Sequence, residues 1–168
     1  MHFSNEFQTI YIRYSDKIYR YLYIQTRDPY LAEDITSETF LRAWKKWREI
    51  KQDYIQALLF KIARNILIDY WRREKDKKKI SLELTTEMGI EPSYDEDLIE
   101  KIHKDEKVKG LNVALGKLAK NLREVVILRF MEELSAREAA GVIGTTEGNI
   151  RILQFRALRK LKEFLNEK

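Results

Sequence analysis

"SAREAAGVIGTTEGNIRILQFRALRKL", residues Ser135–Leu161, decides the reading of this chain. Ser135 followed three residues later by Glu138 is a capping box, in which the serine oxygen takes a helical amide and the glutamate returns a bond to the serine amide. It opens a short helix, Ala136 to Ile143, that Gly144 closes, since glycine enters left-handed C-cap geometry without a steric cost. Thr145 or Thr146 caps the next helix, and Glu147 lies in its first turn, where the helix dipole favours a carboxylate. Two helices joined by a short glycine-containing turn form a helix-turn-helix. At 3.6 residues per turn, Ile150, Leu153, Ala157, Leu158 and Leu161 gather on one side of the second helix and make a core stripe. Arg151, Ile152, Phe155, Arg156, Arg159 and Lys162 lie opposite. Such a face suits duplex DNA, because guanidinium groups hold phosphates or guanine edges while apolar groups meet thymine methyls.

Outward from this motif the pattern stays helical, and no period-two strand pattern of useful length occurs. Leu111, Ala114, Leu115 and Leu118 form one stripe, and "LREVVILRF" supplies Leu122, Val125, Val126 and Leu128 for another. Between Lys75 and Glu100 the texture changes. "KDKKK" gives way to an acidic stretch with Gly89, Pro92, serines and threonines, which predicts a solvated tether. The block before it is rich in aromatic residues. Tyr11, Tyr14, Ile18, Tyr21, Leu22 and Ile24 line an amphipathic helix. Asp28 and Pro29 then suit the N-cap and first position of a second helix, which carries Phe40, Ala43, Trp44 and Trp47 at helical spacing. A third helix is predicted from about Tyr54 to Arg73, with Leu59, Ile62, Ala63, Ile66 and Tyr70 inside. The expected architecture is all-α: a helical domain at residues 1–75, a flexible acidic linker at 76–104, and a helix-turn-helix domain at 105–168.

Composition narrows the chemistry. The 168 residues carry 32 Lys and Arg against 27 Asp and Glu, a net charge of +5 that admits an anionic partner. With no cysteine there is no disulfide framework, thiolate metal site or thiol nucleophile, and His2 and His103 stand far apart. No run approaches the roughly 20 apolar residues that span a bilayer, so a soluble, cytoplasmic protein without membrane insertion is expected. Glu33, Asp34 and Glu38 fall in the first turns of the second helix, but no histidine or other clustered ligand joins them. Neither an enzyme, a metal nor a cofactor is expected. Lys61, Arg64, Asn65, Arg72 and Arg73 lie on the basic side of the third helix above the aromatic block. Basic residues beside aromatics suit single strands, whose bases stack on rings while the backbone follows positive charge. A free-standing helix-turn-helix regulator is the rival reading of these features.

"AEDITSETFLRAW" (32–44), "ALLFKIARNILIDYWRR" (57–73) and "LREVVILRFMEELSAREAAGVIGTTEGNIRILQFRALRKL" (122–161), in that order and spacing, closely resemble bacterial sigma-70 family factors of the extracytoplasmic-function group. The resemblance implies a promoter-recognition subunit of RNA polymerase that has only sigma regions 2 and 4. It implies docking of Glu33, Asp34, Glu38, Phe40 and Leu41 on the clamp helices of the largest polymerase subunit, and of region 4 near the flap of the second largest. It gives Trp47, Lys61, Arg64, Asn65, Arg72 and Arg73 to the melted −10 element. Arg137, Thr146, Asn149, Arg151, Ile152, Phe155, Arg156 and Arg159 go to the −35 element. By the same resemblance the linker threads through polymerase toward the RNA exit path, and an anti-sigma factor is an expected partner.

Overall fold

The computed structural model describes residues 4–84 and 106–166, and every regular element among them is helical. The elements are α1 (Asn5–Thr26), α2 (Pro29–Lys45), α3 (Ile55–Leu84), α4 (Glu106–Lys117), α5 (Lys120–Val126), α6 (Ala136–Ile143) and α7 (Glu147–Asn166). Two 3₁₀ turns, Trp47–Glu49 and Gln52–Tyr54, join α2 to α3, and a π-helical turn, Ile127–Met131, continues α5. Among the described residues no helix is long and apolar enough to cross a membrane.

Local signals set most of the boundaries. Ser4 caps α1 by accepting from the Phe7 amide at 3.2 Å. Asp28 caps α2, its Oδ1 accepting from the amides of Tyr30 and Leu31 at 3.0 and 3.2 Å. Between these caps Arg27 turns left-handed at φ 56°, and its amide closes α1 on the Tyr23 carbonyl. Packing then gathers Phe7, Ile18, Tyr21, Leu22, Leu59, Phe60 and Leu67, each 2% exposed or less, into the centre of α1, α2 and α3. Phe7 meets the rings of Trp44 and Trp47 edge-on at 5.0 and 5.2 Å. Trp47 is therefore no part of α2, which stops at Lys45, but it folds back onto the same aromatic cluster from its own 3₁₀ turn.

Two expectations about this half change. Tyr11 is half exposed and Tyr70 only partly buried. α3 runs on through Leu84 instead of ending at Arg73, and so takes residues 76–84 from the expected linker. Nothing in "KDKKKISLEL" breaks a helix, and Lys77 reaches Glu74 one turn back at 3.6 Å. The rest of the expected linker, 85–104, lies outside the described residues.

In the C-terminal half, Ala114, Leu115, Leu118, Val126, Ala157 and Leu161 pack α4, α5 and α7 together. Arg123 fastens the end of α4 by donating to the carbonyls of Leu115, Gly116 and Leu118. Leu111 and Leu158, expected inside, are 39% and 44% exposed, at the rims of their stripes. The two halves are not held apart. Val125, Ile127, Leu128, Leu134, Ala139 and Ile150 share one continuous core with Ile18, Tyr21, Phe60 and Leu67, and α6 lies against α3.

Candidate nucleic-acid interface

The helix-turn-helix forms as its residues dictate. The Ser135 hydroxyl accepts from the Glu138 amide at 3.0 Å, and Glu138 accepts from the Ser135 amide at 3.2 Å. Gly144 sits at φ 82° and closes α6 on the Ala140 carbonyl. Thr146 is the cap of α7, accepting from the Asn149 amide at 3.1 Å, while the Asn149 side chain donates to Thr145 at 2.8 Å. Arg129 braces the motif from below, donating to Gln154 of α7 at 3.0 Å and to the Leu134 carbonyl at 2.6 Å. Ile150 and Ala157 are sealed at 0% exposure, so α7 turns its other side outward. On that side Ile152 is 51% and Phe155 68% exposed, flanked by exposed Arg151, Arg156 and Arg159. Arg137, Thr146 and Asn149 are exposed beside them. The eight residues expected at the −35 element are thus all exposed. Among the described residues Arg151 pairs there with Glu147 at 3.2 Å, a solvent-exposed and weak ion pair.

The expected −10 face divides. Lys61, Asn65, Arg72 and Arg73 are exposed on α3, and Trp47 is half-buried in its 3₁₀ turn. Arg64 is not free. Its Nε donates to Glu124 Oε1 of α5 at 2.6 Å, and the Tyr21 hydroxyl donates to the same oxygen at 2.7 Å. Burial, with Glu124 next to it, holds the Tyr21 phenol well above its ordinary pKa. Two turns further along α3, Trp71 is covered by the Lys120 ammonium, 3.9 Å from the ring centre. Arg20 reaches Glu132 at 2.7 Å, Gln56 donates to the Glu132 carbonyl, and Arg27 donates to the Asn112 carbonyl. Burial pushes the Glu132 carboxyl above the usual carboxylate value in spite of Arg20. A cavity of about 200 Å³ lies in this seam, lined among others by Gln25, Arg64, Trp71, Lys120 and Glu124. Trp71, Glu124 and Glu132, and the hydrogen bond of Tyr21 to Glu124, escaped the sequence reading. For Trp71 a signal existed, its place in "DYWRR".

On α2, Glu33 and Asp34 are exposed, and Glu38 pairs with Arg42 at 2.9 Å on the surface. Phe40 corrects the expectation of a surface contact. At 4% exposure it belongs to the core, because its ring is held between Phe7 and Tyr11. With Tyr11, Ile12 and the exposed Leu41 it lines an apolar groove of about 510 Å³. The carboxylates and the groove together give α2 a mixed acidic and apolar face fit for a protein partner. Among the described residues no group of three or more histidines, aspartates or glutamates is placed to hold a metal ion.

Comparison with known proteins finds matches in both halves of the chain. The family model for Sigma-70 region 2 matches residues 10–77, and that for Sigma-70, region 4 matches residues 114–163. The chain is 32% identical over 157 residues to the ECF RNA polymerase sigma factor SigM of Bacillus subtilis, covering 94% of this chain and 93% of that protein. It is 34% identical over 166 residues to the ECF RNA polymerase sigma factor BldN of Streptomyces coelicolor, covering 96% of this chain and 61% of that longer protein. In fold it is similar to the sigma factor RpoE of Bartonella quintana, solved in complex with the anti-sigma factor NepR. The TM-score is 0.79 at 22% identity, with 98% of this chain and 99% of that chain covered.

Proposed function

Because this chain belongs to the extracytoplasmic-function sigma factors of the sigma-70 family, with both region 2 and region 4, we propose that it directs core RNA polymerase to specific promoters, melting the −10 element and reading the −35 element. The observation that carries the reading is the face of α7. A helix sealed into its domain by Ile150 and Ala157 turns three arginines, a phenylalanine and an isoleucine to solvent directly after a capped turn. In a helix-turn-helix the second helix enters the major groove with its early residues toward base edges. Arg151, Ile152, Phe155 and Arg156 then face the bases, and Arg137, Thr146, Asn149 and Arg159 hold the backbone.

The −10 strand follows Trp47, Lys61, Arg64, Asn65, Arg72 and Arg73 of region 2. Glu33, Asp34, Glu38 and Leu41 meet the clamp helices of polymerase, with Phe40 lining the groove at that contact, and region 4 meets the flap. An anti-sigma factor competes for these surfaces. The test is transcription in vitro with purified core polymerase on a genomic template library, followed by sequencing of the RNA 5′ ends. Addition of the chain should create defined starts that share upstream motifs, and Arg151→Ala or Arg156→Ala should each cost about 1–3 kcal/mol of −35 discrimination if the contact is bidentate to a base. Absence of new starts would overturn the proposal. Tight, sequence-specific duplex binding by the chain alone would point instead to a free-standing regulator.

A further inference from the structure

Where α5 faces α3, the side chains leave space between the helices. A cavity of about 200 Å³ remains there, lined by residues of both and by Gln25 of α1. One water needs only roughly 10–15 Å³ of such space, so the cavity has room for a small organic ligand. Its polar groups are largely unspent. Arg64 gives its Nε to Glu124 and keeps its two terminal nitrogens without a hydrogen bond among the described residues. That open edge is a planar fork matched to the oxygens of a phosphate. The Lys120 ammonium lies on the Trp71 ring and pairs with no carboxylate among the described residues, and the Asn121 side-chain amide makes no hydrogen bond among them. Gln25 Oε1 is buried without a hydrogen-bond partner. Two cations thus share a single carboxylate, and one buried acceptor lacks a donor.

These groups stand at two ends. Arg64 and Trp71 are seven residues apart, about 10 Å along α3 at 1.5 Å per residue. A lone oxyanion is too short to use both. A ligand that does so carries a phosphoryl group at one end and a flat ring with hydrogen-bonding edges at the other. The ring can stack on Trp71, which is only partly buried, and its edge can bond the Asn121 amide. A hydroxyl or amino group between the ends gives Gln25 Oε1 its missing donor. Glu124 faces the phosphate and opposes it, but its Oε1 is already spent on Arg64 and Tyr21. A mononucleotide meets all these demands at once.

We propose that this cavity binds a free mononucleotide, with its phosphate on the open fork of Arg64 and on Lys120, and its base against Trp71 and Asn121. Lys120 leaves the ring to reach the phosphate, as an exposed and flexible side chain can. The site shares Arg64 with the proposed −10 face but takes Trp71, Lys120 and Asn121 from outside it, and its test needs neither polymerase nor promoter. Failure of the site therefore leaves the promoter assignment standing, and failure of that assignment leaves the site to be measured.

The full-length chain is dialysed to equilibrium against AMP, GMP, CMP and UMP in turn, with the parent nucleosides and inorganic phosphate as comparisons, while tryptophan emission is followed in parallel titrations. At least one nucleotide should bind saturably at one site per chain, and roughly tenfold or more tightly than its nucleoside or phosphate alone, since each lacks one end of the ligand. Lys120→Ala, at an exposed position, should weaken binding roughly tenfold, the worth of one charge-assisted hydrogen bond, with helical circular dichroism kept. Binding should change the tryptophan emission, and Trp71→Phe should abolish that change. Absence of saturable binding by all four nucleotides overturns the proposal, and the native chain decides this by itself should a variant fail to fold. Inorganic phosphate bound as tightly as the nucleotide overturns it too, leaving an oxyanion pocket only. So does affinity unchanged in Lys120→Ala, or an emission change that survives in Trp71→Phe, since either places the nucleotide elsewhere.

Discussion

Phe155 and Ile150 lie on opposite sides of α7, one 68% exposed and the other not at all. Truncating them should separate function from folding. Ile150→Ala leaves a cavity in a sealed core and should cost about 2–5 kcal/mol of stability. Phe155→Ala should stay within about 0.5 kcal/mol of the parent yet reduce promoter-directed initiation, and a large fall in melting temperature would place Phe155 in the core after all. The contrast was legible from spacing alone, because one helix can bury only one side. Tyr21 was harder to read. It was recognised as a core residue, but its hydroxyl partner Glu124 lies 103 residues away and no periodicity points to it. Since burial beside Glu124 raises the Tyr21 pKa well above the ordinary 10.0, the unfolded chain ionises this phenol first. Its contribution is therefore complete below pH 10 and is lost as pH rises through the folded value. Absorbance titration of the nine tyrosines should show one that ionises only with unfolding, and Tyr21→Phe should remove that late step.

Elements were legible where their ends carry chemistry. The caps at Asp28, Ser135 and Thr146 each bind the amides expected of them, because a cap is a contact between residues two or three apart and needs no knowledge of the fold. The end of α3 failed for the opposite reason. A helix continues through lysines and leucines until a breaker stops it, and a change of charge from basic to acidic is no breaker. The capping box also sets how firmly α6 is held. Ser135→Ala should cost about 0.5–2 kcal/mol in denaturant unfolding, whereas Ser135→Gly should cost only a few tenths. Equal losses for both would mean that the serine hydroxyl contributes nothing and that packing of Ala136 and Ala139 alone positions the helix-turn-helix.

At the scale of the whole molecule the sequence hides the seam between its two halves. Periodicity reports which side of a helix is buried. It does not report against what, and the pairs that close the seam are 60 and 112 residues apart. Charge is also distributed at this scale. Residues 85–104 hold six carboxylates (Glu87, Glu91, Asp95, Glu96, Asp97, Glu100) against two lysines (Lys101, Lys104), so the helical halves are more basic than the net +5 of the chain. Those surplus cations should make promoter binding by the holoenzyme steeply salt-dependent, since each phosphate neutralised releases counterions. Lys61→Ala, Arg72→Ala and Arg73→Ala each remove one exposed cation beside the proposed −10 strand. Each should lower the slope of log K against log salt by about 0.7, the single-strand value per phosphate, and weaken all promoters alike. Arg156→Ala, if it reads a base, should leave the slope nearly unchanged and relax selection at a single −35 position. The reverse pattern, with specificity lost at α3 and slope lost at α7, would exchange the roles of the two helices.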